Sequence, residues 1–235
     1  MSRKLTIDIF FCMSLVVFFA PFFLSATLFG WYEGFNLNHP MVMSFLKFAV
    51  LATLGEVIGL RIKTGRYTAD GFGILPRAVI WGLLGLTIKM AFVIFASGVP
   101  VFLEKMGVEG ALGVMSQSFT AEKLLVAFCI SAAMNLIYAP VMMTLHRITD
   151  THIIMNNGSL ACLLRPVAFG KIMKEMDWGV QWNFVFKKTI PFFWIPAHTI
   201  TFLMAPEYRV LFAALLGIVL GVLLAIAGNK KPSAS

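Results

Sequence analysis

ILPRAVIWGLLGLTIKMAFVIFASGVPVFL, residues 74–103, decides the fold class of this protein. Only two of its thirty residues carry a charge, Arg77 and Lys89. Crossing a hydrocarbon core of about 30 Å takes roughly 20 apolar helical residues, and a backbone that finds no water in lipid must pair within a helix or a closed barrel. Alternation with a period of two is absent, which argues against barrel strands and for a spanning helix. Four further runs pass the same test: Ile9–Trp31, Met41–Leu60, Leu124–Leu145 and Val210–Ala227. A sixth, Phe184–Met204, starts with Lys187 and Lys188 and contains Pro191 and Pro196. The expected architecture is an all-α, polytopic transmembrane helix bundle of about six spans, one integral membrane domain over residues 1–235 with a cytoplasmic loop at 147–186.

Composition agrees with that expectation. Hydrophobic residues make up 59% of the chain and charged residues 13%, against about 25% charged in an average soluble domain. Mean hydropathy is +0.86. With six spans and the N-terminus inside, fourteen of the nineteen Lys and Arg residues fall on the cytoplasmic side, Lys230 and Lys231 among them. Lys47, Lys105, Lys123 and Arg209 fall outside, and Lys89 lies within a span. Cytoplasmic loops collect Lys and Arg, so both termini are expected in the cytoplasm. Dropping the fifth span would put Lys230 and Lys231 on the wrong side.

The net charge of +8 is spread over juxtamembrane loops, a pattern that fits topology and anionic lipid headgroups and not nucleic acid. The N-terminal MSRK precedes an apolar run longer than the about 7 to 15 residues of a signal peptide, which reads as a retained anchor; without an Arg/Ser-rich presequence, a bacterial inner membrane is favoured over an organelle. Cys12, Cys129 and Cys162 imply no disulfide framework. In the loop at 147–186, Pro166–Asp177 reads as a short amphipathic helix lying on the membrane, with Trp178 and Trp182 in an interfacial belt. Lys171, Lys174, Lys187 and Lys188 are the candidate contacts to lipid or to a partner.

Ionisable groups inside spans cost about 2.5 to 3.5 kcal/mol each on insertion scales, so each needs a partner or a watery cavity. Glu56 and Lys89 are two such groups, and antiparallel packing of their helices would let them approach. Asn135 and Tyr138, three apart, share a helix face, and Pro140 frees a backbone carbonyl one turn upstream. Trp194, His198 and Thr201 form a second polar and aromatic stripe at helical spacing. His146 and His152 are six apart, off one face, and no HExxH, CxxC, GxSxG or P-loop is present, so neither a metal, a cofactor nor an active site is expected. A path for small hydrophilic solutes or ions is the expected function, lined by Glu56, Lys89, Asn135, Tyr138, Trp194, His198 and Thr201 and built by one chain or by several self-associating copies. The alternative is a non-transporting membrane scaffold or assembly factor that works through its basic loop.

The order Trp194, Pro196, His198, Phe202, Pro206, Arg209 before an apolar last helix resembles the C-terminal signature of the 22-kilodalton peroxisomal membrane protein family, which has a mitochondrial inner-membrane relative. Upstream, Gly55 and Glu56 in LGEVIG are similar to the family's Gly-Asp, and Pro140 and Asp150 in YAPVMMTLHRITD to its Gly-Pro and Leu-Asp segment. His198 stands where the family has Gln and Thr201 where it has Asn, the interval from Phe202 to Arg209 is one residue short, and the family is usually read as four spans. The resemblance covers roughly the last 45 residues. It implies a small integral membrane protein whose relatives are associated with non-selective passage of small solutes, with Glu56 and the Trp194–Arg209 stretch in one polar interior.

Overall fold

A computed structural model describes residues 3–229, with the side chains of all of these except 3, 224, 225 and 227–229. Among the described residues every regular element is helical: α1 (Arg3–Leu24), α2 (Ala26–Asn38), α3 (Pro40–Thr64), α4 (Ile74–Lys105), α5 (Ala111–Val114), α6 (Ala121–Met155), a 3-10 turn (Leu160–Leu164), α7 (Phe169–Glu175), α8 (Trp178–Val180), a π-wound segment (Gln181–Trp194), α9 (Ile195–Leu203) and α10 (Pro206–Asn229). Five are long and apolar enough to cross a membrane: Lys4–Leu24 of α1, α3, α4, α6 and Pro206–Leu223 of α10. The protein is thus an integral membrane helical protein. Lys230 and Lys231, which weigh in the charge count, lie outside the described residues.

The first predicted span differs from the sequence reading. Apolarity runs on through Ile9–Trp31, but Ser25 breaks the helix: its backbone is extended and its hydroxyl accepts from the Leu28 N–H at 3.3 Å, so α1 ends at Leu24 and α2 begins at Ala26. A serine that caps a new N-terminus competes with continuation of the old helix. These two helices form a unit with residues up to Met43, and Phe22 meets Tyr32 edge-on at 6.1 Å within it. Residues from Ser44 onward form the second unit, which holds every site described below.

The fifth predicted span is helical but wound in two ways. Gln181–Trp194 is a π-helix containing Pro191, and α9 returns to the α pitch with Pro196 in its first turn. Proline has no N–H to donate, which suits a helix start and loosens the winding upstream. The predicted loop is also more ordered than expected: α6 continues to Met155, so 147–155 is helix, and only seven residues, Phe169–Glu175, form the amphipathic helix, with Ile172 buried and Lys171 and Lys174 exposed.

In the second unit the core gathers round α6, whose Val126, Ala127, Ile130 and Met134 are all at most 2% exposed. Against lipid, burial of apolar groups gains little, so packing and interhelical hydrogen bonds must hold such helices together. Small residues permit the approach. An added methyl on Gly82 would lie 2.5 Å from the Phe45 ring, and one on Gly85 2.7 Å from the Phe48 Cβ, which seats α3 on α4. Gly55 of α3 meets α10 in the same way, a Cβ there lying 2.9 Å from the Ile218 Cα, and Gly59 one turn on faces Gly221 with room to spare.

Candidate functional site

The site is built from helices whose ends are fixed locally. α6 starts at Thr120, whose hydroxyl accepts from the Lys123 N–H at 3.1 Å, and stops at Asn156, followed by Asn157 and Gly158 with positive φ of 53° and 67°. Gly158 interlocks with Gly73, the residue before α4, itself at φ 66°. A Cβ on Gly73 would lie 2.7 Å from the Gly158 Cα, so only two glycines allow this contact. The clamp sets the first turn of α4, and Arg77 on it, beside the last turns of α6.

Arg77 is 5% exposed and is the hub of a half-buried ionic cluster. Its Nη1 donates to Glu56 Oε2 at 2.5 Å and to Asp150 Oδ1, its Nε donates to the Phe72 carbonyl at 2.6 Å, and its guanidinium lies 4.5 Å from the centre of the Phe72 ring. The other oxygen of Glu56 accepts from Trp81 Nε1 at 2.8 Å and meets His146 Nε2 at 3.1 Å. The His146 ring packs on Trp81 with centroids 4.3 Å apart. Three helices, α3, α4 and α6, are therefore joined by charge-assisted bonds, the strongest kind available.

Further along α6, the Tyr138 hydroxyl and Thr87 Oγ1 of α4 share a hydrogen bond of 2.7 Å. Beyond that, Asn135 Nδ2 donates to the Ser131 carbonyl at 2.8 Å and lies 3.0 Å from Nδ1 of His198 on α9. Asn135 Oδ1 lies 3.2 Å from the same His198 Nδ1, so the Asn135 amide and the imidazole are joined by one side-chain hydrogen bond across α6 and α9. Ser131 Oγ donates to the Ile195 carbonyl at 2.7 Å. Aromatic rings enclose His198: Trp194 stacks on it at 5.1 Å and Phe92 meets it edge-on at 5.7 Å. The Trp194 indole N–H is buried with no hydrogen-bond partner, and such a group costs about 1–3 kcal/mol unless a polar atom reaches it.

These pieces share one face. Ser131, Asn135, Tyr138, His146 and Asp150 fall within a sector of about 120° on α6, and their 19-residue separation corresponds to about 28 Å of helix, close to the hydrocarbon thickness.

Of the residues singled out in the sequence, Asn135, Trp194 and His198 come together, Tyr138 joins the same stripe, and Glu56 sits at its Arg77 end. Thr201 is fully buried but bonds its own helix, at the Ala197 carbonyl. The expected approach of Glu56 and Lys89 is not what the structure has: the cation on Glu56 is Arg77, twelve residues before Lys89 on α4, or about 18 Å. Lys89 also follows Thr87 by two residues, about 160° round the helix from the face that meets Tyr138. It is half-buried, and its electrostatic neighbours are Arg209 and Lys47. Lys47, read as an outside charge, is buried within α3 at 6% exposure. Lys171, Lys174, Lys187 and Lys188 are all exposed, with Lys187 Nζ 5.7 Å from the centre of the Trp182 ring.

Sequence reasoning missed Arg77, which counted only as a topology charge, and Trp81, one turn beyond it. The i, i+4 spacing of an arginine and a tryptophan inside an apolar helix was the available signal. It also judged metal ligands by local spacing alone, whereas the fold brings one ligand atom each of Glu56, His146 and Asp150 within 4.8 Å of one another. No family model, curated protein or solved structure matches the chain.

Proposed function

We propose that this protein forms a path for small hydrophilic solutes or ions across its membrane, with Glu56, Tyr138, Asn135 and His198 along it. The polar stripe of α6 carries the reading. It runs for about the thickness of the hydrocarbon and faces α3, α4 and α9, and ionisable groups at that depth are costly unless they pair or meet water. The unpartnered Trp194 N–H beside His198 supports it, since a passing water or hydroxyl would satisfy that donor. Lys89 stands apart from the stripe and has no role in this path. The two-part helix over Gln181–Leu203 serves as the sixth crossing, which puts both termini on one side of the membrane, the Lys- and Arg-rich cytoplasmic side of a bacterial inner membrane, and self-associating copies complete the path. The resemblance to the 22-kilodalton peroxisomal membrane protein family would imply the same kind of path, with Glu56 and part of the Trp194–Arg209 stretch in its interior.

Liposome swelling with sugars of graded size tests the proposal. Swelling that falls off sharply with solute size, and that drops about tenfold in Asn135→Leu while the protein stays folded, is the expected result. Equal swelling with and without protein refutes it. A scaffold or assembly role is the second reading, favoured by the exposed basic and aromatic rim of Lys171, Lys174, Trp182, Lys187 and Lys188. Charge removal at those four lysines would then abolish function, and Asn135→Leu would not.

A further inference from the structure

We propose that Glu56, His146 and Asp150 form a binding site for a divalent transition-metal ion, and that Arg77 is the resident cation with which the metal competes. Two carboxylates face a single permanent cation here, Arg77, and with His146 beside them they keep partial contact with solvent. The donors are two carboxylate oxygens and one imidazole nitrogen, a set that suits manganese, iron, cobalt or zinc and leaves further positions for water. With all three donor atoms within 4.8 Å of one another, bonds of about 2.0–2.2 Å to a common centre need shifts of roughly an ångström or less, within reach of rotamer adjustment.

Access and support are both present. The three side chains keep 20%, 26% and 17% of their surface exposed, in the order Glu56, His146, Asp150. Trp81 Nε1 orients Glu56 from outside the donor set, as hydrogen-bond donors behind metal ligands do. Arg77 needs to give up only its two carboxylate contacts, because its Nε and its planar face stay anchored on the Phe72 carbonyl and ring. The site stands independently of any transport.

The test is a titration of tag-free, full-length protein in detergent with Mn²⁺, the free ion being read by electron paramagnetic resonance, followed by competition with Zn²⁺. One Mn²⁺ per chain is expected, displaced by Zn²⁺, with affinity reduced at least about tenfold in Glu56→Gln, His146→Gln and Asp150→Asn, and about tenfold in Trp81→Phe. Arg77→Gln should bind more tightly than the parent, and Mn²⁺ should raise its melting temperature more than the parent's. If Arg77→Gln does not fold, the parent against Trp81→Phe and Asp150→Asn still decides. Binding of equal affinity in the Glu56 and Asp150 variants, or no binding by the parent, overturns the proposal.

Discussion

Arg77 is the residue whose removal should be felt most. It neutralises Glu56 and Asp150 from a position that is itself 5% exposed. Arg77→Met would leave two carboxylates facing each other at the edge of an apolar bundle. Breaking a buried ion pair by deleting one partner costs about 3–5 kcal/mol, and the lower end applies because both carboxylates keep some contact with solvent. Denaturant unfolding in mixed micelles should therefore show a loss of about 3 kcal/mol for Arg77→Met. Glu56→Gln combined with Arg77→Met should lose less than the sum of the single changes, since the second removal takes away a charge that the first left unpaired. Additive losses would mean that the two residues act separately. A smaller version of the same logic holds at Asn135: Asn135→Leu strips His198 Nδ1 of its hydrogen-bond partner and should cost about 1–3 kcal/mol, whereas Asn135→Gln, which keeps an amide, should cost less.

At the level of elements, the α3–α10 contact depends on the absence of side chains. A Cβ at Gly55 would sit 2.9 Å from the backbone of Ile218, and backbone cannot step aside as a flexible side chain can. Gly55→Ala should therefore destabilise by about 1–3 kcal/mol, the usual cost of overpacking. Gly30→Ala in α2 meets nothing within 4 Å and should be neutral or gain up to about 1 kcal/mol from helix propensity. Melting temperatures of the two variants in one detergent compare them directly; equal losses would show that the seam is not tight. The long helices were readable from sequence because lipid imposes length and apolarity on every residue of a span. Their breaks were not. Ser25 ends α1 with one hydroxyl inside an unbroken apolar run, and the π winding of Gln181–Trp194 is set by Pro191 together with packing on α6, which no local pattern records. The pairing within the stripe was readable only in part. Asn135 and Tyr138 announce a shared face by their spacing, but Glu56, Arg77 and Asp150 lie 21 and 73 residues apart along the chain and are joined by tertiary packing alone.

For the molecule as a whole, the parity of crossings is decided by a single segment. Five helices are long and apolar enough to span. If they alone crossed, the two ends of the chain would lie on opposite sides of the membrane. Gln181–Leu203 adds 14 and 9 residues of continuous helix, and α9 buries His198, Thr199, Thr201 and Phe202 against its neighbours while the strip it turns outward, Pro196, Ile200 and Leu203, is apolar and suits lipid. A segment lying flat on the surface would instead present one face to water along its whole length. A crossing segment thus fits both this burial and the excess of Lys and Arg on one side. Fusions at the C-terminus distinguish the cases. With six crossings, a fluorescent protein fused there should glow and alkaline phosphatase should be inactive, while phosphatase inserted in the 106–120 connection between α4 and α6 should be active. Cysteine labelling should agree: an impermeant maleimide should reach Ser116→Cys in whole cells and reach Lys174→Cys only after permeabilisation. Active phosphatase at the C-terminus would reduce the crossings to five and move α9 out of the path, leaving Asn135 and His198 as an interhelical bond only and removing the outer half of the conduit.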